Sequence, residues 1–206
     1  IVFHSLLNAD FYSGIHRLMS YWTQGSGIIF TLHNVNPDPK RPFDPNYLLD
    51  ICPQFLEKAI QIIQKSGFDF VALDEALLRL EQPGSRKFVS FTFDDGYRSV
   101  RDLALPILRK YNVPSTLFVA SSFADGLGDL WWLRLEYIIR QSNRIKIKID
   151  DSEHIFPTET DAQKRVAWQK IYWYLRGLDE PFMRAAIMQL AHDNHIEVPN
   201  FAKELC

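Results

Sequence analysis

The sequence predicts an α/β fold built on parallel strands, and three observations predict it. Short apolar runs alternate with helix-period segments from Ile28 to Ala120, the pattern of strands joined by helical crossovers. The runs are nearly continuous in apolar character, as in strands covered on both faces. Turn signals such as Gly25-Ser26-Gly27 and Asn112-Val113-Pro114 punctuate them. At 206 residues, 47% of them hydrophobic, the chain has the size of one domain with room for an insert. It is too apolar to be wholly disordered.

Residues 5–22 read as a short amphipathic helix, with Leu7, Phe11, Ile15 and Leu18 on one face. Ile28–Leu32 reads as a buried parallel strand, with His33 and Asn34 just past its end. Asn36 to Pro45 holds four prolines and reads as a surface loop. A helix follows over about Pro53–Lys65, with Phe55, Leu56, Ile60 and Ile63 on one side and Gly67 as its stop. Phe68–Leu73 is a second strand, and Asp74 caps a short helix ending near Gln82, before a Pro83-Gly84 turn. Phe88–Phe93 is a third strand, followed at once by Asp94-Asp95-Gly96. The helix from about Ser99 to Tyr111 has the cleanest period in the chain, and Pro106 is expected to bend it. Thr116–Ala120 is a fourth strand.

From Ser121 the pattern changes. Trp131–Arg140 reads as a helix. Ile145–Ile149 and His154–Phe156 read as a hairpin around Asp150-Asp151, and helices follow over about Asp161–Leu175 and Glu180–His195. The expected organisation is a helical lead-in over 1–26, a strand–helix body over 27–122, and a mainly helical insert or subdomain over 123–206.

Composition excludes several functions. The formal net charge is -2, which leaves no basic field for a phosphate backbone, so no nucleic-acid partner is expected. No apolar run reaches about 18 residues, so no transmembrane segment is expected. Two cysteines, Cys52 and Cys206, are too few for a disulfide scaffold or a Cys-based zinc module. They fit a reducing compartment, which favours the cytoplasm. The first stretch lacks the pattern of a secretory signal, and one upstream of Ile1 stays open.

Ligand sites in parallel α/β folds gather at the carboxyl ends of strands. Two polar clusters lie at such ends, His33-Asn34 and Asp94-Asp95-Gly96. Adjacent carboxylates are costly to bury alone, and a divalent cation relieves the cost. Neighbouring residues point different ways, so one acid can hold a metal while the other serves as a base. Asp-Asp-Gly is also a common turn, but here a helix follows rather than a hairpin partner. Trp131, Trp132, Trp168 and Trp173 can stack on sugar rings, although helix packing is the commoner use of such aromatics.

The longer string Phe91-Thr92-Phe93-Asp94-Asp95-Gly96-Tyr97, with Ala104–Tyr111 and Val113–Val119 after it, resembles the polysaccharide deacetylases, the carbohydrate esterases of the NodB homology domain. Phe30-Thr31-Leu32-His33-Asn34-Val35 is similar to the first-strand segment of many members. The resemblance covers about Gly27 to Ser122, and the Trp131-Trp132 helix is similar to an insert in one subgroup. It implies a partial distorted (β/α) barrel and metal-assisted removal of acetyl groups from an acetylated polysaccharide or oligosaccharide. It further implies Asp94 as general base, Asp95 as ligand of a metal, most often Zn2+, and His33 and Tyr97 as substrate-binding residues.

The departures define the alternatives. The family's second motif, Ser or Thr-His, three residues, then His-Pro, has no match; His192-Asp193-Asn194-His195 has only two intervening residues and no proline after it. About four core strands are found where a closed barrel needs seven or eight. One reading is the amino-terminal part of a metal-dependent deacetylase, with open sheet edges. The alternative is an inactive carbohydrate-binding or regulatory relative without the histidine ligands. A magnesium-dependent phosphate enzyme is a third class, unsupported by any Gly-rich phosphate loop of the usual spacing.

Overall fold

The computed structural model describes Ser5, Ala9, residues 12–15, Met19, and residues 25–82, 86–149 and 152–206. The expected lead-in helix lies largely outside the described residues. The Pro83-Gly84 turn and the Asp150-Asp151 tip lie wholly outside them. No helix among the described residues is long and apolar enough to cross a membrane.

The first half runs β1 (Gly27–Leu32), β2 (Asn34–Val35), a 3-10 turn at Tyr47–Leu49, β3 (Asp50–Ile51), α1 (Pro53–Lys65), β4 (Asp69–Phe70), α2 (Leu73–Leu80) and β5 (Phe88–Phe93). A π turn over Val100–Ala104 leads into α3 (Leu105–Lys110), then β6 (Ser115–Leu117) and α4 (Ser121–Ala124). The second half holds α5 (Trp131–Gln141), the hairpin β7 (Arg144–Ile149) and β8 (Ser152–Pro157), α6 (Asp161–Arg176), α7 (Glu180–Asp193) and α8 (Phe201–Leu205). The fold is thus a parallel α/β core followed by a mainly helical extension, consistent with a distorted deacetylase-type barrel.

β5 is the centre of the sheet. β1 runs parallel along its whole length, from Gly27 opposite Phe88 to Leu32 opposite Phe93. On the other side β4 pairs with Phe88 and Val89, and β6 pairs with Phe91 to Phe93. All six β5 residues are buried, Ser90 and Thr92 included, which fits a strand of three phenylalanines and a valine whose only polar residues are small hydroxyls. Phe91 stacks on Phe30 with ring centroids 5.2 Å apart.

Several boundaries differ from the sequence reading. β1 is not a buried strand: Ile28 and Ile29 are 45% and 41% exposed, because no described strand pairs with its outer edge. β4 is shorter than Phe68–Leu73, since the chain leaves the ladder once Val71 N has donated to Val89 O, and Leu73 already begins α2. Asp74 therefore lies in the first turn of α2, and the N-cap is Ala72. Phe55 is exposed, leaving Leu56 and Ile60 as the buried side of α1. Cys52 caps that helix, its Sγ accepting from Phe55 N. β6 ends at Leu117, three residues short of the expected Ala120.

The expected bend at Pro106 takes the form of the π turn. Proline has no N–H to donate, and Leu105 N reaches back five residues to Val100 O. The wider turn still lets Val100, Ala104 and Leu108 face the core. Just before it, Ser99 Oγ donates to Asn34 Oδ1 (2.6 Å) and accepts from Val35 N (3.1 Å), which ties β2 to this helix.

Two apolar clusters result. The sheet-side cluster includes Leu56, Ile60, Phe91, Phe93, Val100 and Leu130. The helical cluster includes Leu135, Ile138, Ile145, Ile171, Ile187 and Leu190, and Trp132 packs against both. The proline-rich loop is not simply a surface loop. Its Phe43 is buried in the helical cluster, and Asp44 is buried beside it.

A polar network holds that loop down. Glu136 on α5 is 3% exposed. Its carboxylate accepts from Asn46 Nδ2 at 2.7 Å and Arg41 Nη2 at 3.2 Å, and it pairs with Arg140. Asn46 Nδ2 also donates to Trp132 O at 3.0 Å. Burial pushes the Glu136 carboxyl up, while Arg140, Asn46 and Arg41 pull it back. Glu136→Ala strips several charge-assisted bonds from a buried place. Urea unfolding is expected to show a loss of about 1.5–3 kcal/mol, and a variant as stable as the parent would refute the latch.

Candidate functional site

The ladder register builds the site. Leu32 lies opposite Phe93, so the next residues, His33 and Asp94, emerge side by side at the carboxyl end of the sheet. Asp94 N still donates to Leu32 O at 2.9 Å, which holds the first acid in line with its strand. The chain then turns sharply, with Asp95 at φ +70° and Gly96 at φ +81°. The left-handed region costs a non-glycine residue about 1 kcal/mol or more, and such strain gathers at functional sites. At Gly96 a side chain would also be crowded, because a Cβ there would lie 3.1 Å from Val119 Cγ1.

His33 Nε2 stands 3.9 Å from Asp94 Oδ2, and both side chains are about a third exposed, at 28% and 33%. That is ion-pair range but too long for a hydrogen bond. Burial pushes the Asp95 carboxyl above its ordinary value; His33 opposes the shift and the Asp94 charge adds to it. His33 and Asp95 line a cleft of about 330 Å³. Its walls come from the 45–49 loop on one side and from aromatic residues of α5 and α6 on the other.

The structure therefore brings His33, Asp94 and Asp95 together. It puts Tyr97 elsewhere. Tyr97 is 4% exposed and sits in the sheet-side cluster. It faces a separate cavity of about 400 Å³ shared with Asn34, Ser99 and Glu136. Burial, with the Asp95 charge next in weight, holds its phenol protonated well above the ordinary range. His192 and His195 are also elsewhere, beside Lys146 and Lys148 of the hairpin.

A protein zinc site needs three or four nitrogen, sulfur or carboxylate ligands at one point. Among the described residues, no group of three or more His, Cys, Asp and Glu side chains could hold a metal ion. One imidazole and two adjacent carboxylates on a left-handed turn do not fit that centre by themselves.

Sequence reasoning missed Tyr172 and Arg176, which line the cleft with Trp168, and it included Trp173, which is exposed outside it. The signal was available. Residues 168, 172 and 176 repeat at four-residue spacing, which puts them on one helix face. Leu48 and Glu136 carried no comparable signal, since their roles depend on contacts distant in sequence.

The family model described as polysaccharide deacetylase matches residues 81–145. No curated protein matches the chain. Among solved structures, the chain is similar to IcaB from Ammonifex degensii, at 27% identity over 45% of this chain and 37% of that one, with a TM-score of 0.38. It is similar to the Streptococcus pyogenes deacetylase PplD in complex with acetate, at 24% identity over 48% of this chain and 43% of that one, with a TM-score of 0.40. A third is a de-N-acetylase from Aggregatibacter actinomycetemcomitans, at 20% identity over 70% of this chain and 51% of that one, TM-score 0.40. The chain thus spans between 37% and 51% of the length of these structures.

The raised Asp95 carboxyl has a measurable sign. Folded Asp95 keeps its proton to higher pH than the unfolded chain, whose carboxyl has the ordinary value of 3.8. The resulting stability is complete below that value and is lost as pH rises through the folded one. Asn tolerates the left-handed region and carries no charge. Relative to the parent, Asp95→Asn is therefore expected to gain melting temperature between acid and neutral pH. A difference that stays flat across melts from about pH 3 to about pH 8 would contradict the desolvation of Asp95.

Proposed function

We propose, for a chain that carries a polysaccharide deacetylase segment, that the face formed by His33, Asp94 and Asp95 binds an acetylated polysaccharide or oligosaccharide without hydrolysing it. One observation carries the reading. The acid pair and His33 share the carboxyl end of the sheet, yet among the described residues no three such side chains are placed to hold a metal ion. In this reading the two carboxylates accept hydrogen bonds from sugar hydroxyls or an acetamido N–H, and His33 offers a ring nitrogen to the same ligand. Tyr97 backs the turn from the core side rather than touching the sugar.

A second reading is metal-dependent hydrolysis, favoured by the unbroken Thr92-Phe93-Asp94-Asp95-Gly96 string. It assigns Asp94 as general base and Asp95 as a ligand of Zn2+. It requires ligands beyond those the described residues bring together.

Calorimetric titration with N-acetylglucosamine oligomers and acetylated xylo-oligosaccharides, with and without added Zn2+, separates the two. Saturable binding is expected for one series, weakened about tenfold or more by Asp95→Ala, as the loss of a charge-assisted bond predicts. No acetate is released in either condition. Acetate release that rises with Zn2+ and stops on chelation would overturn this reading in favour of hydrolysis.

A further inference from the structure

His33 and Asp95, but not Asp94, share their cleft with residues of α5 and α6. At about 330 Å³ it falls at the small end of ligand sites, which run roughly 300–1,000 Å³. Its far wall lies on α6, outside the 81–145 segment that matches the family model. Trp168 and Tyr172 stack there with ring centroids 4.5 Å apart and planes 22° from parallel. Trp131 continues the stack, 5.2 Å from Tyr172 at 28°. The next residue along the same helix face, Arg176, is exposed and has no ion-pair partner among the described residues. Trp168 Nε1 is buried without a hydrogen-bond partner, and such orphan donors call for a ligand or a water. Across the cleft Leu48 is 94% exposed, an apolar side chain held out at the rim by the loop that Glu136 fastens.

We propose that this aromatic wall is a second sugar subsite, taking a pyranose unit next to the one at the acid pair. The proposal rests on the carbohydrate-binding reading and extends it along the polymer. A pyranose ring has an apolar C–H face and an equatorial rim of hydroxyls. Trp168, which Tyr172 covers on one face, lines the cleft and offers aromatic surface for the sugar's apolar face. The Arg176 guanidinium offers a fork of donors for the rim. Continuity is what commits the cleft to sugar, since His33 and Asp95 line the same space as these residues. A ligand filling this space must carry polar groups for His33 and Asp95 and a flat apolar face for the rings, and a chain of pyranoses carries both.

The test is the dependence of affinity on oligomer length, measured by calorimetry with the full chain. In the parent, affinity is expected to rise about tenfold on passing from one sugar unit to an oligomer that fills the cleft, the gain one aromatic contact supplies. Trp168→Ala and Arg176→Ala each flatten that rise. Arg176 is exposed, so its variant keeps the parent melting temperature and guards against loss of fold in the tryptophan variant. Length dependence unchanged in both variants would overturn the subsite while leaving binding at the acid pair standing. No binding of any acetylated oligomer to the parent would overturn the carbohydrate reading and this subsite with it.

Discussion

Strand β5 is closed off on every side. β1 covers one edge, β4 and β6 divide the other, and apolar side chains pack both faces. A strand so enclosed has no freedom to slip, because a shift of one residue would turn its phenylalanines to the wrong face. Its carboxyl end is therefore a fixed point. His33 and Asp94 stand beside each other because each follows the last residue of a strand in register, not because the two side chains bind each other strongly. The left-handed turn at Asp95 and Gly96 is then imposed by the surroundings, which is how such backbone strain persists in a folded chain.

A second constraint shapes what lies in front of that point. The 36–49 loop joins the two halves of the molecule by apolar and polar means at once. Phe43 enters the helical cluster, and Asn46 reaches Glu136 and the Trp132 carbonyl. Trp132 itself packs against both clusters. The cleft is thus the seam between loop and helical layer, with His33 and Asp95 in its lining. A buried carboxylate is expensive unless its partners stay in place, so the Glu136 network favours a single arrangement of loop and helix.

Much of this was legible from residues alone. The alternation of strand and helix, the bounds of α1 and β5, the hairpin and the helices after it all follow from apolar period and turn residues. The Asp94-Asp95-Gly96 turn was legible because it directly follows the most apolar strand. What escaped depended on tertiary context. The exposure of Ile28 and Ile29 reflects which strand lies at the edge of the sheet, and the sequence of β1 itself looks like that of a buried strand. Tyr97 sits one residue past the turn, yet packing sends it into the core rather than the cleft. The buried Phe43 and Glu136 pair elements some 90 residues apart, beyond the reach of any local pattern.

The π turn ahead of α3 has a consequence for the phase of everything upstream. Leu108 and Pro106 fix the downstream helix, and the extra residue in Val100–Ala104 sets the angle at which the chain arrives there. Each residue of a helix advances the azimuth by roughly 100°. Shortening that segment by one residue would swing Ser99 around the axis by about that angle, out of reach of Asn34 and Val35. The small β2–β3 ladder would lose its hydrogen bonds to Ser99, leaving Asp50, which holds the Asn34 and Asn36 amides at 2.8 Å, and the Asn36 N to Ile51 O bond to anchor the start of the loop. The wide turn is in this sense a phasing device, and the geometry of the cleft inherits its setting.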